Sequence, residues 1–443
     1  MNIRIVITIA LVAFFGTAKA QETKVWTLKE CVDYALENNI SAKQTALDID
    51  VAEQDVKAAK WNFAPNLNGN ASQNFNFGSS ISTVGLRVSS NLRSNNFGLN
   101  SSINLFDGFS NIHTLKQAKI GLQAQDAALA KMKNDISLNV VNAYLQILFA
   151  KEQLIVAQSQ LEISEFEANR ISELVDAGVL PQGDLYNVKS RLATDQQNLI
   201  ITENTLTISS LQLAQLLQLQ EMSIEVEEVD VELVNQEVLS NSALDIYNQA
   251  NQNFPEIKLA ELNILSANEG VKIAQSNYYP TLTFSAGMSS IYQHRQGVDD
   301  VFNFSDQLDN NFGKSLSFSL NVPLFNRYQY RSNVNKSKIN FEKIQYNLDN
   351  EKFRLRETIQ TAYTDALASS KSYDAAVVSV EAQNKAFEYA RERFNEGAAN
   401  SLDFNQTKNN LISAQSQLIR AKYEFVFKLK VLQFYYGIPL VAE

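Results

Sequence analysis

The stretch Leu316 to Phe325, LSFSLNVPLF, sets Leu316, Phe318, Leu320 and Val322 on one side of an extended chain and Ser317, Ser319 and Asn321 on the other. The pattern recurs three times. Leu67, Ala71, Phe75 and Phe77 oppose Asn68, Asn70, Ser72 and Asn76; Phe97, Leu99, Ile103 and Leu105 oppose Asn100, Ser102 and Asn104; Leu282, Phe284, Ala286 and Met288 oppose Thr281, Thr283 and Ser285. Strands of about ten residues are long enough to cross a bilayer at a tilt. Four of them cannot close a barrel, and in lipid an open edge strands backbone N–H and C=O groups at a cost of several kcal/mol each. A membrane reading therefore requires two or more copies of the chain. A half-buried sheet in a soluble β domain shows the same alternation, so the strands alone leave both readings open.

The N-terminus bears on the compartment. Arg4, an apolar run from Ile5 to Phe15 and the small-x-small triplet Ala18-Lys19-Ala20 predict a secretory signal over residues 1–20. Cys31 lies too far past the cut to be a lipid-anchored first residue, and a single Cys forms no intrachain disulfide. Beyond the signal no apolar run of about eighteen residues is present, so no transmembrane helix is expected. A net charge of −10 argues against nucleic acid as a partner.

Between the strand pairs the sequence is helical. Thr27 and Glu30 form a capping-box pattern opening a helix over Trp26 to Trp61, which Pro65 stops. From Ser110 to Asp176 there is no Pro and the only Gly is Gly121, predicting one helix about 100 Å long. Its apolar residues step by seven: Val140, Ile147, Leu154, Leu161, Ala168 and Val175, with a second row from Ile136 to Ile171 that is broken at Ser164. A turn over Gly178 to Gly183 leads to a return helix with Leu185, Leu192, Leu199, Leu206 and Leu213 at the same step. An acidic linker follows, with Ile224, Val226, Val229 and Val231 suggesting a short strand.

All of this is then written again. An offset of 215 carries Ala35 to Ala250, Leu47 to Leu262 and Pro65 to Pro280; an offset of 219 carries Leu105-Phe106 to Leu324-Phe325, Gly178 to Gly397 and Asp184 to Asp403. The expected division is a signal peptide over 1–20, a first repeat over 21–220 (β-hairpin 65–106, helix hairpin 108–218), a linker over 221–240 and a second repeat over 241–443 (β-hairpin 280–325, helix hairpin 327–436). A soluble β domain has no reason to hang each hairpin on so long a helix pair, and a fibrous coiled coil has no reason to carry lipid-type strands. A barrel continued by a helical tube accounts for both.

The opening WTLKECVDYALENN, from Trp26 to Asn39, resembles the first helix of outer-membrane efflux proteins of the TolC family, in the style of its Bacteroidetes members. The two turns, Gly178-Val179-Leu180 to Asp184-Leu185 and Gly397 to Asp403-Phe404, are similar to that family's Gly, six-residue step, Asp, apolar tip. The resemblance covers essentially the whole mature chain. It implies a mixed α/β membrane protein: a homotrimer whose transmembrane β-barrel takes four strands per chain, continued by a periplasmic α-helical barrel with a small equatorial domain near 221–240. It implies an outer-membrane exit duct that docks through its tips onto a periplasmic adaptor and, through that, an inner-membrane pump. The outer channel of a type I protein secretion system and a structural or adhesive surface protein are the alternatives. The second tip departs from the pattern, with Ala398-Ala399 after its glycine and Phe404 where a smaller apolar residue is usual.

No catalytic constellation, phosphate loop or cofactor motif is present, and His113 and His294 have no companions at metal-ligand spacing. The chain is therefore expected to be no enzyme and to hold no metal or cofactor. Gly178 and Gly397 suit helix C′ positions and Asp184 and Asp403 suit N-caps, so capping alone explains them; a rigid exposed turn is also what a partner's helical hairpin can grip. Glu381, Glu388 and Glu392 precede Gly397 by a few turns. Repeated around a pore they form acidic rings that favour cations, Glu388 foremost; alone, they read as a solvated face with Arg391 and Arg393 as partners. Phe106, Tyr279, Phe325 and Tyr328 suit a membrane interface.

Overall fold

The computed structural model describes residues 24–440 apart from 82, 86, 90, 221–223, 229–236, 297–301, 397 and 399–400. The expected signal peptide, Val229, Val231 and Gly397 lie outside the described residues. The chain forms two compact units, one from Met1–Lys43, Lys131–Asn253 and Arg354–Glu443, the other from Gln44–Ala130 and Phe254–Phe353.

The repeat is visible residue by residue. The helix expected over Trp26 to Trp61 is two, α1 (Leu28–Asn38) and α2 (Ile40–Trp61). Thr27 and Glu30 form the capping box, Glu30 N–H donating to Thr27 Oγ1 at 3.1 Å and Thr27 N–H to Glu30 Oε2 at 3.0 Å. The break falls at Asn39, which is extended (ψ 127°); its Oδ1 accepts from Ser41 N–H at 2.9 Å and so caps the next helix. The offset of 215 reproduces the capping box and the break, though Phe254 at the break makes no side-chain cap and Pro255 opens the next helix instead. Helices α5 (Ala243–Asn253) and α6 (Pro255–Ser276) part at Phe254, and Ser242 and Asp245 exchange the same two bonds, both 3.2 Å. The long helices α3 (Ser110–Asp176) and α8 (Gln329–Asn395) have 67 residues each, and the return helices α4 (Gln182–Leu216) and α9 (Ser401–Tyr435) have 35 each, all in register at 219.

The first unit is cored by the heptad rows. Val140, Ile147 and Leu213 are fully buried, as are Ile359, Ala366 and Leu432 of the second repeat. Helix α3 also holds an 18-residue window of mean hydropathy 1.2, which by length and composition alone is apolar enough to cross a membrane. The apolar residues that raise the average, among them Val140, Val141, Ile147 and Leu148, form this protein core. Two short strands, β1 (Val25–Trp26) and β6 (Glu225–Val226), pair in parallel and bring the linker to the chain's start. The Tyr144 hydroxyl lies 2.6 Å from the Glu227 carbonyl and 3.1 Å from that of Trp26, and burial pushes its phenol far above the usual range.

The second unit holds the sheet, two hairpins paired antiparallel in the order β2-β5-β7-β8, with β2 (Asn66–Asn76), β5 (Leu92–Phe106), β7 (Thr281–Arg295) and β8 (Gly313–Asn321). Register keeps the alternation in phase. Phe284 opposes Phe318 and Ile103, while Ser285 opposes Ser317 and Ser102, giving one apolar and one polar face. Strand β8 stops at Asn321, short of Phe325, because Pro323 offers no N–H to a ladder; Leu324 and Phe325 are left highly exposed. Strand β5 starts at Leu92, five residues before the expected Phe97. The β2–β5 loop carries a small hairpin of β3 (Ser79–Ile81) and β4 (Arg87–Ser89), and the β7–β8 loop carries a helix, α7 (Phe304–Asn310), capped by Asn303.

Candidate functional site

The first helical turn is closed by backbone alone. Gly178 has φ +72°, the left-handed conformation in which a Cβ is costly. Its N–H reaches the Val175 carbonyl at 2.9 Å and the Val179 N–H the Leu174 carbonyl at 2.8 Å, which is the Schellman closure of a helix C-terminus. A Cβ at Gly178 meets nothing within 4 Å, so the turn is open to a partner. Val179 is 66% exposed and Tyr186, a turn into α4, equally so. Leu180 and Leu185 fold back onto Ala168, Ile171 and Val188 and are half-buried; they stabilise the tip rather than present it.

Asp184 is not the N-cap. That position is Pro181, and Asp184 is the third residue of α4, its own N–H bonded to the Pro181 carbonyl at 3.1 Å. There its carboxylate favours the helix dipole rather than capping it. Asp403 likewise lies three residues into α9, and is exposed. The second turn repeats the first where it is described: Ala398 N–H bonds the Arg393 carbonyl at 2.8 Å, the equivalent of Val179 to Leu174. Phe404 is buried, stacked on Phe394 at 4.7 Å and leaning on Phe387 at 5.6 Å. The unusually large residue at this tip is a core residue, so its side chain is withheld from any partner.

Beside this aromatic cluster, α3, α8 and α9 line an open groove of about 400 Å³. The exposed ring of Phe166 stands at its wall, and Arg170 lies over the Phe394 ring at 5.2 Å while donating to Asn395 Oδ1 at 2.7 Å. Sequence reasoning missed this groove because Phe166 falls off the heptad rows. The three acids are on the solvent side of α8. Glu381 pairs with Lys385 at 3.1 Å, not with Arg391 or Arg393; Arg391 lines the groove, and Arg393 Nη2 donates to the Ala398 carbonyl at 3.4 Å. Glu388 and Glu392 are exposed.

At the sheet-to-helix corner Phe106, Phe109 and Tyr279 pack edge to face, 5.2 and 6.3 Å between centroids, while Phe325 and Tyr328 stay exposed. His113 Nδ1 is 2.6 Å from Glu269 Oε2, and Lys272 donates to Glu269 Oε1 at 2.6 Å. Burial alone would raise the Glu269 carboxyl; hydrogen bonds from Lys272 and His113 outweigh it and hold it below the usual range. Among the described residues no group of three or more His, Cys, Asp or Glu could hold a metal ion.

Comparison with known proteins gives a consistent result. The outer membrane efflux protein family matches residues 31–218 and 246–437, one stretch in each repeat. The outer membrane protein TolC of Escherichia coli is 22% identical over 431 residues, 95% of this chain and 83% of its own. Among solved structures, the outer membrane protein VceC of Vibrio cholerae superposes with a TM-score of 0.78 at 17% identity, covering 94% of this chain and 97% of that one. The CmeC outer membrane channel of Campylobacter jejuni gives 0.77 at 17% identity, covering 94% and 87%. With the duplicated strand and helix pattern and a family match over most of its length, this chain belongs to the outer membrane efflux protein family, and it is an outer-membrane protein with the fold of those channels.

Proposed function

We propose that three copies of this chain form an exit duct, a twelve-stranded barrel in the outer membrane continued by a helical tube in the periplasm, through which solutes delivered by an adaptor-linked inner-membrane pump leave passively. The observation that carries this reading is the sheet. One face is apolar, the other polar, and the strand order ends on β2 and β8. In lipid both ends must find partners. Three antiparallel pairings separate β2 from β8, so the two run in opposite directions, and β8 of one copy can pair antiparallel with β2 of the next. A family of outer-membrane efflux proteins supplies the direction of transport.

In this reading the Gly178 turn, and Gly397 with its neighbours, are the surface an adaptor hairpin grips, with Val179 and Asp403 exposed to it and Leu180, Asp184, Leu185 and Phe404 holding its shape. Glu388, repeated threefold, is the acid of the periplasmic aperture, flanked by Glu381 and Glu392. Single-particle images of the detergent-purified protein are expected to show threefold particles with a membrane-embedded end, and planar bilayers to show discrete conductance steps. A water-soluble monomer without conductance overturns the proposal.

A further inference from the structure

The polar face of the sheet is more specific than its alternation requires. The row Asn66, Ser102, Ser285, Ser317 crosses all four strands, and Asn100 and Ser315 stand in the next. Side chains bond across strands: Asn100 Nδ2 donates to Asn70 Oδ1 at 3.2 Å, Thr283 Oγ1 to Asn104 Oδ1 at 2.9 Å, and Ser102 Oγ to Asn66 Oδ1 at 3.0 Å. A polar lining made for water alone could equally use Lys, Glu, Arg and Asp. Here two of the four strands' three Lys and Arg residues sit elsewhere. Arg93 opposes Phe75 and Lys314 opposes Met288, both on the apolar face, where Arg93 lies over the Tyr292 ring at 5.4 Å. Arg295 shares the polar face, but as the last residue of β7, opposite Leu92. It stands ten residues from Ser285, about 34 Å along the strand, well beyond a Debye length of about 8 Å at physiological ionic strength.

We infer that, Arg295 at its end aside, the membrane-spanning wall of this duct is a carboxamide and hydroxyl surface without fixed charge that does not itself discriminate between anionic and cationic solutes. The inference rests on the duct reading. Fixed charge rings are what make a pore prefer one sign of ion; amides and hydroxyls donate and accept equally and exchange their partners with water. Three copies of an uncharged row remain uncharged. Discrimination by charge is then left to the helical segment and to the pump.

The test uses the full chain in liposomes with two substitutions, Ser317→Cys on the polar face and Phe318→Cys on the apolar face. The native Cys31 is fully buried and burial pushes its thiol up to about 12, so it is silent. Each variant is exposed from outside to a sulfonate-bearing and to a trimethylammonium-bearing methanethiosulfonate, and rates are normalised to a free thiol. A charged ring concentrates the opposite sign about tenfold or more, so the Ser317→Cys rates for the two reagents are expected to agree within about fivefold. A larger disparity in either direction overturns the neutral wall and leaves the duct intact. A Phe318→Cys thiol that reacts while Ser317→Cys does not overturns the duct reading itself, and this inference with it.

Discussion

Lys408 Nζ donates to Ser164 Oγ at 2.8 Å inside the first unit, with Lys408 3% and Ser164 2% exposed. Ser164 passes the interaction on, donating to Asp195. Glu167, 5% exposed, stands 4.0 Å from the amine and accepts from Asn405 Nδ2 at 3.2 Å. The lysine of one helix hairpin is thus held by the serine, glutamate and aspartate of the other. Burial pulls its amine below the usual range in spite of the carboxylates.

Removing one member of a buried charge pair leaves the other uncompensated, at about 3–5 kcal/mol. Lys408→Met is therefore expected to lower the melting temperature sharply, and adding Glu167→Gln to restore most of the loss. Near-additive effects of the two substitutions in thermal melts show instead that the residues are not coupled.

Gln218 and Gly437 end the return helices at equivalent positions with φ +60° and +89°. Both close with the same pair of bonds, Leu219 N–H to the Ala214 carbonyl and Ile438 N–H to that of Gln433, each 2.9 Å. A left-handed conformation costs a residue with a Cβ about 1–2 kcal/mol, part of which a glycine gives back as entropy of the unfolded chain. Gln218→Gly is expected to stabilise by about 0.5–1 kcal/mol and Gly437→Gln to destabilise by a similar amount. Chemical denaturation checks both signs.

The helices were legible because their signals are local and doubled. Thr27 and Glu30 mark a start, Gly178 an end, and a step of seven fills the space between. The hydrogen-bonding partners of these elements were less legible. The Ser164 break in the seam was visible, but the lysine that fills it is 244 residues away, and spacing along a chain does not say which distant residue arrives. The neighbours of Asn39 favour one continuous helix; its own side chain competes by capping the next one. Strand β8 ends at Asn321 rather than Phe325 because alternation continues past Pro323 while the ladder cannot. Phe404 read as an exposed tip residue because the turn pattern says where a residue sits, not which way it points; the partners that bury it, Phe387 and Phe394, lie on the same heptad row of α8.

The Glu269 carboxyl supplies a pH-dependent term. Its pKa is lowered on folding from an ordinary 4.5, so its contribution is present above about 4.5 and is lost as pH falls through the folded value. Glu269→Gln is expected to reduce thermal stability at pH 7 and to make progressively less difference as the medium is taken down to pH 3. A gap between variant and parent that stays constant over that range shows that packing, not charge, is what the substitution removes.

Glu388 is exposed on α8, and in a threefold duct it forms an acid ring. Glu388→Gln is expected to reduce the cation preference of single channels measured under a salt gradient. An unchanged reversal potential assigns Glu388 to the outer, solvated face of the tube.

Gly178 separates stability from docking. A Cβ there meets nothing within 4 Å, so substitution costs only the left-handed backbone, about 1–2 kcal/mol, which a long helix pair buried along its seam can absorb. Gly178→Asp adds a side chain and a charge to the outermost point of the turn. If an adaptor's helical hairpin closes over that point, the substitution leaves assembled oligomers and their conductance unchanged while adaptor co-purification falls by about tenfold, the effect of roughly 1.4 kcal/mol at an interface. Gly178→Ala, which adds the Cβ without the charge, is expected to fall between the two. Full adaptor capture by both variants shows that Gly178 terminates a helix and that the partner binds elsewhere, for which the Phe166 groove is then the next surface to probe.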